Sequence, residues 1–377
     1  MRHATPLALS LILTPSLLVG CSALDADERH SQVQKIQRRL PESMRAARTT
    51  APGENDWYIL AYFRDPKFNK AGEFGLYLAT SRDGYTWQPA NLDRPLFVPR
   101  VGNSSGMRDP CIAQGPDGVF HCVWTWETGD RRSIGYARST DLLTWTDIRS
   151  LKVMPDTVSI DYCWAPEIIW DSAATHWVLA WSCAIDGLNP ATEKQAEWKH
   201  RMYYSTTRDF RTLSPYQSLF DPGYPSIDPA WIELPPDWIP KGLTRPADSE
   251  SIFDAPAAGP ATPSDPGRWL LLYKDERQWP EKKQIRAVRG LTPVGPFGTP
   301  SASLTIHWVE APSAQIIDGN LVIYYDEYRE GRYGAIRSND LFKWEDVQNL
   351  MSFPPLTRHG SVIRVTPAQW QRVHDRR

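Results

Sequence analysis

Four stretches of this sequence repeat one another: SRDGYTW at Ser81–Trp87, STDLLTW at Ser139–Trp145, SNDLFKW at Ser338–Trp344, and a degenerate copy, STTRDFRTL, at Ser205–Leu213. Each copy follows a short strand-like run, and each Ser-x-Asp is typical of a turn, because short polar side chains bond to nearby backbone N–H groups. A strand-and-turn unit that recurs along the chain is typical of a β-propeller, in which each unit forms a four-stranded blade.

The positions of these copies predict five units. Four of them begin near Asp109, Trp164, Asp228 and Glu310. The fifth needs both ends of the chain, with His359–Val365 as its inner strand and the N-terminal strands outside it. Such closure removes an open sheet edge. We therefore predict an all-β fold, a five-bladed β-propeller whose last blade is closed by N-terminal strands; the alternative, a β-sandwich, does not explain the recurring turn.

The N-terminal residues predict export. Arg2 and His3 precede an apolar run at 7–19 that is too short to span a bilayer comfortably and is typical of a signal peptide. The run ends in LVGC at 18–21, which resembles the bacterial lipobox, whose cysteine carries the lipid; an ordinary secretory signal is the alternative. With Ser22 next, we expect a bacterial outer-membrane lipoprotein, held in outer-membrane lipid through Cys21 and facing the periplasm or the cell surface.

Three segments follow from this pattern: a signal peptide at 1–21, a polar tether at 22–55 and a single propeller domain at 56–377. The stretch 234–266 is rich in Pro, Ala, Ser and Asp. We interpret it as a surface insertion between two strands of the third blade, on the face opposite to the one where the inner strands begin.

Composition narrows the classes of partner. A net charge of −2 indicates no polyanionic partner, so nucleic-acid binding is not expected. The 17 Trp and 15 Tyr are typical of a sugar-binding protein, because a flat ring offers apolar area to the C–H face of a sugar, although propellers also use aromatic side chains as filler between blades. We expect a monomer that binds an oligosaccharide or polysaccharide.

Four cysteines besides Cys21 allow several arrangements. Cys111 with Cys122, and Cys163 with Cys183, could each be joined across a hairpin. A cross-blade bond between Cys111 and Cys163 is the competing geometry, and free buried thiols are the third alternative. No pair has the spacing of a zinc site.

Three acidic motifs stand at predicted strand starts, one per unit: Arg108-Asp109-Pro110, Ile227-Asp228-Pro229 and Glu310-Ala311-Pro312. A lone Asp-Pro is typical of a turn, so the specific signal is the set of three. Glycoside hydrolysis needs an acid that protonates the leaving oxygen and a base opposite it, and a neighbouring carboxylate helps the acid to keep its proton.

These motifs resemble those of glycoside hydrolase family 43, the five-bladed arabinofuranosidases and xylosidases, over about residues 56–365. The resemblance implies that Asp109 is the general base, Asp228 orients the acid and modulates its pKa, and Glu310 is the general acid. Trp164-Ala165-Pro166-Glu167 resembles a further inner-strand segment of the family. Six more side chains are expected to contact the sugar: Arg108, Trp164, Glu167, Arg277, Tyr328 and His359.

The resemblance implies no required cofactor. In several family members the histidine that matches His359 contacts a calcium ion at the axis, so either a structural calcium or a simple hydrogen bond is expected there.

The resemblance also implies an exo-acting, inverting hydrolase that releases α-L-arabinofuranose or β-D-xylose from plant-type polysaccharide or oligosaccharide. The alternatives are release of galactose or galactofuranose by the same fold, and a non-catalytic glycan-binding propeller. A retaining fructan hydrolase is less favoured, because the chain lacks an Asn-Asp-Pro-Asn-like segment and a Glu-Cys acid.

Overall fold

The computed structural model of this chain describes residues 57–66, 73–188, 199–234 and 267–376. The predicted signal peptide, Cys21, the tether and nearly all of the 234–266 insertion lie outside the described residues. The described strands are β1 Tyr58–Phe63, β2 Tyr77–Ser81, β3 Gln88–Pro89, β4 Arg100–Val101, β5 Ser104–Gln114, β6 Phe120–Thr128, β7 Ser133–Ser139, β8 Thr146–Lys152, β9 Trp164–Asp171, β10 His176–Cys183, β11 Arg201–Thr207, β12 Gln217–Phe220, β13 Ser226–Glu233, β14 Trp269–Asp275, β15 Gln284–Gly290, β16 Glu310–Ile317, β17 Asn320–Glu327, β18 Arg332–Ser338, β19 Glu345–Asp346 and β20 Arg358–Arg364, and a helix, α1, spans Pro367–His374. No helix within these ranges has the length and apolar character needed to cross a membrane.

The strands form five antiparallel sheets, which are the blades. Blade 1 is β5-β6-β7-β8 with the short β4 beside β5, blade 2 is β9 to β12, blade 3 is β13 to β15, and blade 4 is β16 to β19. Blade 5 has the order β20-β1-β2-β3, so it joins the two ends of the described chain. The inner strands β5, β9, β13, β16 and β20 contact one another in a closed ring. The five-bladed propeller and its closure by N-terminal strands are therefore confirmed.

Blade 3 departs from the four-stranded pattern. Its described ladder has three strands, and beyond β15 only an isolated bridge joins Gly290 to Phe297. Pro293 and Pro296 lie between these two residues. Because proline has no N–H to donate to a ladder, this outer edge stays irregular.

The repeated sequence forms the same turn at the outer edge of four blades. In blade 1, the backbone N–H groups of Leu143 and Thr144 donate to Asp141 Oδ1 at 2.9 and 2.7 Å, and Leu142 N donates to Ser139 Oγ at 2.9 Å. The same bonds recur around Asp83, Asp340 and, in the degenerate copy, Asp209. Each aspartate thus satisfies backbone donors that the turn would otherwise leave unpaired.

Apolar side chains fill the spaces between adjacent blades. Trp124 and Trp126 of blade 1 are buried in one cluster with Ile59 and Leu76 of blade 5. Leu272 of blade 3 lies in another cluster with side chains of blade 4. Much of the tryptophan content is therefore inter-blade filler rather than a sugar-binding surface.

The four described cysteines are buried free thiols. Cys111 pairs in register with Val123 rather than Cys122, and the two thiols belong to different apolar clusters, so they do not face each other across the hairpin. The thiols of Cys163 and Cys183 are hydrogen-bonded to each other. Cys111 Sγ accepts the N–H of Ile168 from blade 2 at 3.5 Å, and so joins two inner strands.

Candidate active site

All five inner strands break their pairing with the second strand of their blade at the same place. At this bulge Asp109, Ala165, Asp228 and Ala311 have φ of 50°, 45°, 57° and 60°, and each is followed by proline. A bulge leaves a residue out of the ladder and redirects its side chain, which is why bulges are common beside active sites. Asp109 and Asp228 therefore leave the pleated pattern at one end of the propeller axis.

Opposite the bulges of blades 1 to 4, the second strand places a side chain that reaches the next blade. Thr125 Oγ1 accepts the N–H of Ala165 at 2.8 Å, and Ser182 Oγ accepts that of Asp228 at 3.2 Å. The matching residues of blades 3 and 4 are Lys274 and Asp326. We call Thr125, Ser182, Lys274 and Asp326 the second-strand ring. Each of these side chains contacts the inner strand of the next blade.

Asp109 is buried and carries a close cation. Its Oδ1 lies 3.2 Å from His359 Nδ1 on blade 5. Burial alone would raise the pKa of the Asp109 carboxyl, but His359 and Arg108, with a hydrogen bond from Thr125, hold it well below its ordinary value. Asp109 is therefore ionised at any ordinary pH and can accept a proton.

His359 is the counterpart of this carboxylate. Burial disfavours an imidazolium, but the charges of Asp109 and Asp228 raise the pKa of His359 to about 9. The ring is therefore cationic at neutral pH. Its charge offsets part of the repulsion between two buried aspartates on the inner strands of blades 1 and 3.

Asp228 is nearly inaccessible and its Oδ2 accepts the N–H of Ala311 at 3.1 Å, directly beside Glu310 in sequence. Burial raises the pKa of Asp228 to about 6, against the opposing charges of His359 and Lys274, and Glu310 adds to the rise. Among Asp109, Asp228 and Glu310, Asp228 is thus the one whose pKa is raised and which most readily holds a proton.

Glu310 lies between two cations. Lys274 Nζ donates to Oε2 at 3.0 Å, and Arg358 Nη2 donates to Oε1 at 3.1 Å. Burial alone would raise the pKa of Glu310, but Lys274 and Arg358 hold it below its ordinary value. Arg358 is itself fixed by Asp326, whose Oδ2 accepts its Nε at 2.6 Å. Sequence reasoning expected Asp228 to dominate the protonation of Glu310, and it did not foresee these two cations.

A second layer of charges continues from Lys274. Its ammonium also lies 2.8 Å from Glu276 Oε2, and Glu276 pairs in turn with Lys283. All three side chains are buried. Each charge therefore has a partner of opposite sign, which buried charges require.

The structure brings together Asp109, Asp228 and Glu310. Arg358 and His359 are successive residues of β20, and Arg358 pairs with Glu310 while His359 pairs with Asp109. The site residues predicted from the sequence did not include Lys274, Glu276, Asp326 and Arg358. A signal for Lys274 existed: it follows the buried apolar run Leu270–Tyr273, where an unpaired lysine would be costly.

The other side chains predicted to contact the sugar differ in their burial and in the contacts that hold them. Arg108 is half-buried, forms a long 3.8 Å ion pair with Glu127 and lies 5.8 Å from the Phe63 ring centroid, and its Nε is buried without a hydrogen-bond partner. Trp164, also half-buried, stacks on His200 with 4.3 Å between ring centroids. Arg277 is tied to Asp275 by two hydrogen bonds.

Two further candidates, Tyr328 and Glu167, lie on different blades. Tyr328 has its ring 4.8 Å from Lys274 Nζ, on the side of Glu310. Glu167 lies one pair of residues beyond the bulge of β9, where it contacts the Cys111 thiol, and burial raises its pKa to about 7.

Within the described ranges, no group of three or more His, Cys, Asp or Glu side chains is placed to hold a metal ion. His359 Nδ1 instead lies 3.2 Å from Asp109 Oδ1. A calcium ion held through water at the axis stays a prediction.

Comparisons with known proteins bear on this site. Residues 54–239 match a protein-family model, a relative of glycosyl hydrolase family 43 described as "Probable glycosyl hydrolase domain". That range includes Asp109 and Asp228, while Glu310 lies beyond it. No curated protein sequence matches the chain.

Several solved structures are similar. They include an α-L-arabinofuranosidase from Lactobacillus brevis, at 14% identity over 67% of this chain and 74% of that one, with a TM-score of 0.45. An endo-arabinase from Bacteroides thetaiotaomicron has 16% identity over 64% and 80% of the two chains, with a TM-score of 0.44. An exo-β-1,3-galactanase from Phanerochaete chrysosporium has 12% identity over 64% and 49%, with a TM-score of 0.43. Residues 54–239 are therefore similar to the glycosyl hydrolases related to family 43.

Proposed function

We propose that this chain hydrolyses a glycosidic bond by a single displacement, with Asp109 as general base and Glu310 as general acid. The observation that carries the proposal is that Asp109, Asp228 and Glu310 lie together at one end of the axis. There β20 supplies His359 to Asp109 and Arg358 to Glu310. Two carboxyl groups on opposite sides of a sugar are the minimum for this reaction.

In the proposed step, Asp109 takes a proton from water as the water oxygen attacks the anomeric carbon. The bond from that carbon to the glycosidic oxygen breaks, and Glu310 gives its proton to the departing oxygen. His359 keeps Asp109 ionised and oriented. Asp228 contributes by its position next to Glu310, since the two acidic groups share the proton that the reaction needs.

The charges around the pair predict an acidic optimum. Lys274 and Arg358 favour ionised Glu310, while Asp228 has a pKa of about 6. A proton must be present on this pair for the leaving oxygen to be protonated, and the pair loses it as pH rises through about 6. We therefore expect kcat/KM to fall above that pH, with no matching loss from Asp109 on the acidic side until far lower pH.

For the released sugar we propose α-L-arabinofuranose or β-D-xylose, removed from the end of a chain, on the strength of the motif resemblance. Release of galactose or galactofuranose is the alternative. A panel of nitrophenyl furanosides and pyranosides separates these sugars, with Glu310→Gln as the blank. Release of nitrophenol from none of them, under conditions where the folded chain is intact, would overturn the proposed hydrolysis.

The stereochemistry provides an independent test. NMR of the first product formed should show inversion at the anomeric carbon, and retention would reject the single displacement.

We also propose that the chain is exported and lipid-anchored through Cys21. Cells fed a clickable fatty acid should label the wild-type chain but not Cys21→Ala. Equal labelling of both would exclude the anchor.

A further inference from the structure

Three aromatic side chains lie on one side of the active-site end. Trp279, in the β14–β15 loop of blade 3, is 62% exposed and is the one tryptophan among the exposed large apolar side chains of the described ranges. Trp308 stands two residues before Glu310, and Tyr328 follows β17. We call Trp279, Trp308 and Tyr328 the blade 3–4 rim.

The loops that carry this rim are held together. His307 Nδ1 is hydrogen-bonded to the carbonyl oxygen of Lys282 at 3.0 Å, and Val309 N donates to the carbonyl oxygen of Lys283 at 3.1 Å. The loop bearing Trp279 and the segment bearing Trp308 therefore form one continuous edge beside Glu310.

Contacts connect the rim to the proposed acid. The rings of Trp308 and Tyr328 meet edge to face at 6.2 Å, and Lys274, which binds Glu310, lies 4.8 Å from the Tyr328 ring. Trp308 has a φ of 65°, a conformation that a bulky residue rarely adopts, so its neighbours hold it there. Arg329 covers Trp308 with its guanidinium 2.9 Å from the ring centroid.

The order of the blades gives this edge a role. In a ring of five, blade 1 with Asp109 faces the boundary between blades 3 and 4. An in-line displacement places the attacking water and the leaving group on opposite sides of the anomeric carbon. If water is activated at blade 1, the leaving group departs over the boundary where Trp279, Trp308 and Tyr328 lie.

We infer that the blade 3–4 rim binds the leaving group, and that this group is a further sugar unit of an oligosaccharide. The inference deepens the proposed function and rests on it. Flat indole faces suit the apolar C–H face of a pyranose or furanose ring, and the guanidinium of Arg329 offers donors to its hydroxyls. A small alcohol would leave the exposed face of Trp279 without a partner.

The test compares two substrates that share the released sugar and differ in the leaving group. An oligosaccharide reaches the rim, whereas a glycosyl fluoride loses a fluoride ion that cannot stack on an indole. For Trp279→Ala and Trp308→Ala we expect kcat/KM to fall about tenfold or more on the oligosaccharide, because one lost aromatic contact is worth roughly one decade. On the fluoride the fall should be under about twofold.

The matched control is Ile148→Ala, an exposed apolar residue of blade 1 strand β8, which should change neither rate. Equal losses on both substrates would overturn the inference, because Trp308 would then act on the released sugar or on the fold. Unchanged rates on both would overturn it as well, because the rim would then bind nothing.

A binding arm separates the rim from the chemistry. The oligosaccharide is titrated by calorimetry into Glu310→Gln with and without Trp279→Ala. Weaker binding in the double variant supports the rim even if the wild-type chain hydrolyses nothing, in which case only the proposed function fails. Equal binding in the two variants, or no binding in either, rejects the rim.

Discussion

The outer turns and the inner bulges of this propeller repeat in different ways. At the outer edge both sequence and bonds recur, with an aspartate that accepts two backbone N–H groups in each of four blades. At the inner bulge the backbone recurs, but the side chain is Asp109, Ala165, Asp228 or Ala311. The outer aspartate accepts hydrogen bonds from its own turn, whereas the residue at the inner bulge lies outside the ladder.

This difference explains how one scaffold carries a site without fivefold symmetry. The second-strand ring follows the same rule. Thr125 and Ser182 are neutral and accept a backbone N–H from the next blade, whereas Lys274 and Asp326 carry charge. Substitutions at the outer turns should therefore change stability, and those at the inner positions should change chemistry.

The largest effect is expected at the inner strands. Asp109→Asn and Glu310→Gln each remove a proton-transfer group, so kcat should fall by about 10² to 10⁴-fold. Circular dichroism should match that of the wild type, because each change preserves side-chain shape. Activity within threefold of the wild type in either variant would show that the carboxyl group is not used.

A smaller effect tests the second-strand ring. Lys274→Met removes one of the charges that face Glu310. Arg358, His359, Arg108 and the more weakly interacting Lys283 remain as cations, and Asp228 and Asp326 remain as carboxyls. The pKa of Glu310 should rise, so its protonated form persists to higher pH. The alkaline limb of the kcat/KM profile should move upward.

Lys283→Met is the matched control for that profile, because its ammonium pairs with Glu276 rather than Glu310. The alkaline limb of the kcat/KM profile should move less in Lys283→Met than in Lys274→Met. A profile that keeps its shape in Lys274→Met while the rate drops at every pH would indicate a purely structural lysine.

At the outer edge the effect should appear in stability alone. Asp141→Ala loses the acceptor for Leu143 N, Thr144 N and the Ser139 hydroxyl. By analogy with lost helix caps, the free energy of unfolding should fall by about 1–2 kcal/mol. Urea unfolding measures this fall, and an unchanged kcat/KM in the same preparation supports the separation of edge and axis.

The sequence allowed the fold to be predicted because the outer turn uses the same side chains each time. The motifs Asp109-Pro110, Asp228-Pro229 and Glu310-Ala311-Pro312 allowed these three carboxyl groups to be predicted together, although Asp109 lies inside β5 rather than at its start. Lys274 and Asp326 could not be predicted, since they act across a blade boundary: Lys274 contacts Glu310, 36 residues away. Four strands were expected in blade 3, but its described ladder has three, because Pro293 and Pro296 interrupt its outer edge.

The smallest effect concerns the bulge itself. Ala165 has a φ of 45°, and its N–H is bonded to Thr125 Oγ1, so Ala165→Gly keeps that bond while removing the steric cost of a side chain in this conformation. Relief of roughly 1–2 kcal/mol opposes the extra freedom that glycine gives the unfolded chain, roughly 0.4–1 kcal/mol. The free energy of unfolding should therefore rise slightly or stay constant in urea titrations. A loss of more than about 1 kcal/mol would mean that the Ala165 methyl group packs between blades, and that the bulge is held by side-chain contacts rather than by the backbone bond to Thr125.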